Sequence, residues 1–180
     1  MSIKHLSALL AGSALVVGTT PAWAESSPSP DLSFTCQTGE IPTTVAQTAD
    51  GSVSKPVFNW KSDVLSGSAD AEQLCNQVAA KLQEYSAQGY DLSTMSFNGL
   101  DQGGLPAICV AGEANECDKL LFTLTPTERP ANEADRVLAG ILDKSLQGER
   151  VQSRDRGIMA TSYKVNFWDL FGLGFPKLLK

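Results

Sequence analysis

The chain has 180 residues, of which 42% are apolar and 19% are charged, and its formal net charge is −6. This composition is typical of an ordinary globular domain and excludes both a disordered chain and a membrane-spanning protein. The acidic balance also argues against nucleic acid as a partner, because phosphate binding needs a concentrated positive surface.

The start of the chain has the pattern of an export signal. Lys4 gives a positive start, residues 8–17 form an apolar run, and an A-x-A cleavage motif ends at Ala24. We therefore expect a signal peptide over residues 1–24, followed by a flexible, proline-broken lead-in over residues 25–33.

Removal of this leader would also remove His5, the one histidine of the chain. Without an imidazole there is no Ser-His-Asp or Cys-His nucleophile pair and no histidine-ligated zinc or copper. A pair of carboxylates, as in glycoside hydrolysis, is compatible with the composition, but no local pattern marks any acidic residue for that work. We therefore predict no catalytic residues and no cofactor.

The elements of the mature chain begin with three short runs that are rich in β-branched and aromatic residues. They predict a meander of strands at residues 34–36, 43–46 and 57–60.

The next segment is predicted to be an amphipathic helix. Apolar residues recur at helical spacing from Ala71 to Tyr85. Ser68 or Asp70 can cap the first turn, and Gly89 can end the helix in the left-handed conformation.

Further strands and turns are predicted after this helix. Residues 92–97 suggest a strand that reverses at Asn98-Gly99, and Gly103-Gly104 indicates another loop. The runs at 107–110 and 120–124 are the most apolar of the mature body, which favours central strands.

A second amphipathic helix is predicted from Asn132, acting as its N-cap, to Gly148. Strands, helix, strands and helix in this order predict an α+β fold, in which a small antiparallel β-sheet packs with two α-helices.

All four cysteines, Cys36, Cys75, Cys109 and Cys117, follow the predicted leader. Export would carry them to a compartment where thiols tend to be oxidised, and none of them has the C-x-x-C spacing of a redox centre. Four cysteines permit three pairings, and spacing alone does not fix the choice. We favour Cys109 with Cys117, across a short hairpin-like loop, which leaves Cys36 to join the first strand to Cys75 on the helix.

Several of these features together resemble the cyanobacterial circadian oscillating polypeptide family, the twenty-three-kilodalton class. The resemblance covers about residues 34–147 and rests on Phe34-x-Cys36, Pro42-Thr43-Thr44-Val45-Ala46, Trp60, Cys75, Pro106-x-Ile108-Cys109, Cys117 and Leu120-Leu121-x-Thr123-Leu124. It implies a domain over residues 34–148 with no established catalytic activity, similar to exported, membrane-associated proteins. No catalytic residues carry over from it, and the cysteines carry over as structural positions only.

The end of the chain differs from the body in charge. Residues 25–149 hold 7 basic and 18 acidic side chains, whereas residues 150–180 hold 6 and 2. We therefore interpret residues 149–180 as a basic, aromatic tail whose composition suits a membrane interface or a partner protein. Its candidate contact residues are Phe167, Trp168, Phe171, Phe175, Lys177 and Lys180. The alternative is that these aromatic side chains fold back onto the sheet and complete the core.

The remaining candidate sites are weaker. Glu113, Glu116 and Asp118 crowd one short loop and are a calcium candidate, but the regular ladder of a calcium loop is missing, which favours a solvated loop. Trp60 and Tyr85 are aromatic residues that suit a ligand pocket, but core packing explains them better.

These observations predict an exported, non-catalytic domain that associates with a membrane surface or a protein partner in a periplasm or thylakoid lumen. One alternative is a carboxylate-dependent hydrolase that acts on a cell-envelope carbohydrate. Another is an inhibitor or chaperone-like module that adds an exposed strand edge to a partner.

Overall fold

A computed structural model describes residues 32–65, 69–90, 95–111, 117–147, 150–155, 158–165 and 167–171. The predicted leader and nearly all of the lead-in lie outside the described residues. The elements, in chain order, are β1 (Leu32–Gln37), β2 (Thr43–Thr48), β3 (Ser54–Asn59), α1 (Ala71–Ala87), β4 (Ser96–Gln102), β5 (Leu105–Ala111), β6 (Lys119–Thr123), α2 (Pro130–Ile141), a 3₁₀ turn (Lys144–Leu146), β7 (Arg150–Asp155), β8 (Ile158–Lys164) and α3 (Phe167–Leu170).

The predicted α+β class is confirmed, with two antiparallel sheets in place of the single sheet expected. One sheet has the order β1-β2-β3 and the other the order β6-β5-β4-β8-β7. Strand β5 is central as predicted, but β6 lies at the sheet edge. Strands β7 and β8 come from the segment interpreted as a tail, and β8 pairs with β4. The folded domain therefore extends past the boundary predicted at residue 148.

Helix α1 forms where the apolar periodicity predicted it. Asp70 caps it, since one carboxylate oxygen accepts the backbone N–H groups of Glu72 at 2.9 Å and Gln73 at 3.0 Å. Gly89 follows the helix with a φ of 79°, the left-handed conformation that suits glycine. The buried face of the helix is formed by Cys75, Val78, Ala79, Leu82 and Tyr85.

Helix α2 is shorter than the predicted span and begins two residues before Asn132. Pro130 occupies its first turn, where the missing N–H costs nothing because helix-start amides have no intrahelical partner. The chain leaves the helix at Leu142, which forms a bridge to Phe58 of β3, and the Asp143 N–H donates to the Val57 carbonyl at 2.9 Å. Pairing with the outer edge of β3 thus replaces the last predicted turns of helix.

The predicted reversal at Asn98-Gly99 is wrong, because both residues lie inside β4. The strand turns instead at Gly103-Gly104, where φ is 64° and 90°. Gly99 is needed for a different reason. A Cβ atom at this position would lie 2.9 Å from the backbone carbon of Ala134 in α2. Strand β4 and helix α2 therefore approach each other closely because residue 99 has no side chain.

The core lies between the two sheets and the helices, and aromatic side chains connect its parts. Phe58 of the first sheet packs on Phe97 of the second with ring centroids 4.7 Å apart, and Trp60 packs on Phe122 at 5.4 Å. Such pairs contribute about 0.5–1.5 kcal/mol each beyond the burial of their area. The two sheets are thus parts of one hydrophobic core.

We predict that Gly99→Ala destabilises the domain by about 1–3 kcal/mol, because the added methyl group would overlap the backbone of α2. Urea unfolding of purified protein measures the change. The matched control is Gly39→Ala, whose new methyl group would have its nearest contact 4.0 Å away and should change stability by less than about 0.5 kcal/mol. Equal stability of the two variants would show that the close approach of α2 to β4 does not require glycine at position 99.

Candidate functional site

The structure contains the predicted disulfide between Cys36 on β1 and Cys75 on α1, whose Cα atoms are 5.5 Å apart. Cys75 is fully buried on the apolar face of the helix, and Cys36 is partly buried against the core. The bond closes a sequence separation of 39 residues, for which loop entropy predicts a stabilisation of about 3–4 kcal/mol. Its position in the core is that of a structural bond.

A buried hydroxyl lies directly beside this disulfide. Thr44 of β2 accepts the indole N–H of Trp60 at 2.8 Å, and its own hydroxyl lies 3.4 Å from the carbonyl oxygen of Cys75. The single polar atom of the Trp60 side chain is therefore satisfied inside the core. Tyr85 is also buried and stacks on the half-exposed Tyr90 with ring centroids 4.0 Å apart. The prediction that Trp60 and Tyr85 pack in the core is confirmed.

The second predicted disulfide, between Cys109 and Cys117, is absent from the structure, where both residues are free thiols. Cys109 is buried on β5 and Cys117 is exposed just before β6. Burial raises the pKa of Cys109 above its ordinary value, and the neighbouring Cys117 raises it further. Burial also raises the pKa of Cys117, although Cys109 acts in the opposite direction.

A cluster of charged residues on α1 and β6 was missed by sequence reasoning. The Lys81 ammonium donates to the carbonyl of Leu120 at 3.0 Å and to that of Leu121, and Lys119 forms an ion pair with Glu84 at 2.7 Å. Partial burial, and then the positive charge of Lys119, lower the pKa of Lys81. No local pattern identifies Lys81, because its partners are backbone carbonyls some 40 residues away in sequence.

The calcium candidate is only partly within the described residues. Asp118 is exposed at the start of β6, whereas Glu113 and Glu116 lie outside the described residues. Among the residues that the structure describes, no three His, Cys, Asp or Glu side chains are grouped to hold a metal ion.

The structure divides the candidate contact residues of the tail. Phe167 is fully buried, with its ring in edge-to-face contact with Phe34 at a centroid distance of 5.6 Å. Phe171 is partly buried against the same core. The assignment of Phe167 to a membrane or partner surface is therefore wrong, since its side chain completes the core. The Trp168 side chain lies outside the described structure, as does the segment of residues 172–180, which includes Phe175, Lys177 and Lys180.

Within the described ranges, no helix is long and apolar enough to cross a membrane. Among the described side chains, Cys117 is an exposed free thiol. The class that fold and site define is thus an α+β domain with a covalent bond between its first strand and first helix.

Comparison with known proteins then gives the family. The family model for circadian oscillating protein COP23 matches residues 33–171, and the chain belongs to that family. The match includes β7, β8 and the buried Phe167, in agreement with the extent of the folded domain. Neither a curated protein nor a solved structure matches the chain.

We predict that Thr44→Val lowers the free energy of unfolding by about 1–3 kcal/mol, because the isosteric change leaves the Trp60 N–H buried without an acceptor. The neighbouring Thr43→Val is the matched control, since the Thr43 hydroxyl makes an exposed contact with the Ile41 carbonyl. This control should change stability by less than about 0.5 kcal/mol. Chemical unfolding under non-reducing conditions measures both, and a smaller loss for Thr44→Val than for its control would contradict the assigned hydrogen bond.

Proposed function

We propose that this COP23-family domain is an exported, non-enzymatic protein that associates with an anionic membrane surface through residues 172–180. Its compartment is one that permits disulfides, such as a periplasm or thylakoid lumen. The observation that carries the proposal is the apolar and basic composition of residues 172–180, which directly follow Phe171, a residue that packs on the core.

Export is supported by two independent features. The sequence over residues 1–24 has the pattern of a cleavable signal, and the folded domain contains a disulfide in its core. Structural disulfides persist in oxidising compartments and are rare in the cytosol.

Membrane association is supported by what lies beyond Phe171. The Phe167 ring is anchored on Phe34, and Phe171 packs on the core, so the chain is held at the surface of the domain at this point. Residues 172–180 then supply four large apolar side chains, two lysines and no acidic residue. Apolar side chains at an interface contribute through buried area, and each lysine near an anionic surface contributes about 1 kcal/mol.

A non-enzymatic role is supported by composition. The sequence after the predicted leader contains no histidine, which removes the usual base near neutral pH. The alternative of a carboxylate-dependent hydrolase has no specific support, because no local pattern in the sequence marks any acidic residue for that role.

We predict that the protein without its leader sediments with vesicles that contain anionic phosphatidylglycerol more strongly than with neutral phosphatidylcholine vesicles. Replacing Lys177 and Lys180 by Glu should lower the partition coefficient on anionic vesicles at least tenfold, because two attractive charges become repulsive. The matched control replaces Lys144 and Lys164, which are exposed on the folded domain, by Glu.

A chain that ends after Phe171 tests the apolar contribution and keeps the buried Phe167 in place. It should remain folded by circular dichroism and lose vesicle binding. Unchanged sedimentation of this shortened protein, or equal effects of the two lysine pairs, would overturn membrane association through residues 172–180.

A further inference from the structure

We propose that the outer edge of strand β7 binds an extended, acidic segment of a partner protein, which pairs with β7 as an added strand. The two sheets have the edge strands β1, β3, β6 and β7. Addition of a partner's strand to a sheet edge is a recurring mode of recognition, in which main-chain hydrogen bonds supply the affinity. Such a site needs an edge that the domain itself does not engage.

Helix α1 engages the edge strands β1 and β6. The backbone N–H of Phe34 in β1 donates to the amide oxygen of Gln83 at 2.8 Å. The ammonium group of Lys81 donates to the carbonyl of Leu120 in β6 at 3.0 Å. A strand added at either place would have to displace these side chains of α1.

Strand β3 is protected in a different way, and β7 differs from the other three. Strand β3 contains Pro56, which has no N–H to donate, and its Val57 carbonyl accepts the Asp143 N–H at 2.9 Å. Strand β7 pairs with β8 along all six of its residues, and no described element pairs with its other side. Within the described part of the chain, β7 is therefore the edge that is open to a partner.

The register of the sheet determines which backbone groups of β7 face outward. The Val165 N–H, directly after β8, donates to the Met95 carbonyl on the β4 side at 3.1 Å. Antiparallel strands direct the backbone groups of successive residues to alternate sides, so Ser162 directs its groups towards Val151 of β7. The next residue of β7, Gln152, therefore directs its N–H and its carbonyl to the outer edge.

The charge of this edge indicates the chemistry of the occupant. Arg150 and Arg154 share the outward register of Gln152, and alternation places these three residues on one face of the sheet. An added strand brings its own alternate residues opposite them, where opposite charges stabilise the pairing and like charges destabilise it. The complementary occupant is an extended segment that carries carboxylates at alternate positions.

A second copy of the domain is a poorer occupant of the same edge. Antiparallel pairing of two β7 strands in one continuous sheet keeps every residue on its own face. Arg150 and Arg154 of both copies would then share one face, where their like charges oppose the pairing. The charge pattern of β7 thus favours a partner of opposite charge over self-association.

Backbone pairing is tested by two substitutions at Gln152 in the full chain. Proline at this position removes the outward N–H and leaves the hydrogen bonds to β8 in place, whereas alanine keeps the N–H. The probe is a fluorescent six-residue peptide, equal in length to β7, in which glutamate alternates with valine. Measured by fluorescence anisotropy, Gln152→Pro should weaken binding about tenfold, and Gln152→Ala by less than about twofold.

Charge complementarity is tested by a second peptide in which lysine replaces glutamate, which should bind about tenfold more weakly. Arg150→Glu together with Arg154→Glu should reverse this preference. The matched control, Lys61→Glu with Arg129→Glu, makes the same charge change at exposed positions and should keep the preference. Both double variants should sediment equally with anionic vesicles, because the proposed membrane contact lies in residues 172–180. A vesicle-binding loss specific to the β7 variant would assign this edge to the membrane and overturn the proposal.

Amide hydrogen exchange, followed by NMR, measures the state of the edge directly. In the free protein, the amides of Gln152 and Arg154 should exchange faster than those of Val151 and Ser153, and the glutamate peptide should slow them about tenfold. Slow exchange at Gln152 without the peptide would show that the edge is already covered, which overturns the proposal. Equal binding of the two peptides overturns it as well, as do equal effects of proline and alanine. If Gln152→Pro does not fold, exchange and charge reversal still decide.

Discussion

One helix, α1, packs on an edge strand of each sheet and forms hydrogen bonds to the backbone of both. On one side of α1, the Gln83 amide oxygen accepts the backbone N–H of Phe34 in β1 at 2.8 Å. On the other, Lys81 donates to the carbonyls of Leu120 and Leu121 in β6. Residues two apart on a helix are rotated by roughly 200° about its axis. Lys81 and Gln83 therefore reach opposite sheets from the same turn. Unpaired edges invite association with other chains, and α1 occupies part of the edge at β1 and at β6.

The disulfide fixes which side of α1 meets which sheet. Cys75 lies on the buried face of the helix and is bonded to Cys36 in β1. Cys36 is two residues after Phe34, whose backbone N–H donates to Gln83 of the same helix. Rotation of the helix would break this bond and withdraw Lys81 from its two carbonyls. Thr44 adds a polar connection to the same place, because its hydroxyl lies between the helix carbonyl and the Trp60 indole. The disulfide thus sets the orientation of the helix, and this orientation places Gln83 and Lys81 against their strands.

The sequence predicted the local features well and the non-local ones poorly. Helix α1, its Asp70 cap and the first meander could be predicted because periodicity and short-range capping determine them. The position of Gly99 inside a strand could not, because its reason is the backbone of α2 at a distance in sequence. Strands β7 and β8 were not predicted, because their basic charge led to their interpretation as part of a tail. Charge does not indicate whether a segment pairs with a strand such as β4. At the candidate site, the Cys36–Cys75 pairing was predicted, while the network around Lys81 depends on tertiary contacts alone.

The way in which the core uses its aromatic residues restricts where this domain can meet a partner. Trp60, Tyr85 and Phe167 each complete internal packing, and the Trp60 N–H is already satisfied, so these residues have no capacity left for a ligand. The cysteines divide in the same way, because Cys75 is enclosed by the helix and sheet that it joins, whereas Cys117 lies at the surface. Burial therefore separates the groups that maintain the fold from those that remain chemically available. Among the described residues, the exposed thiol of Cys117 before β6 belongs to the available groups.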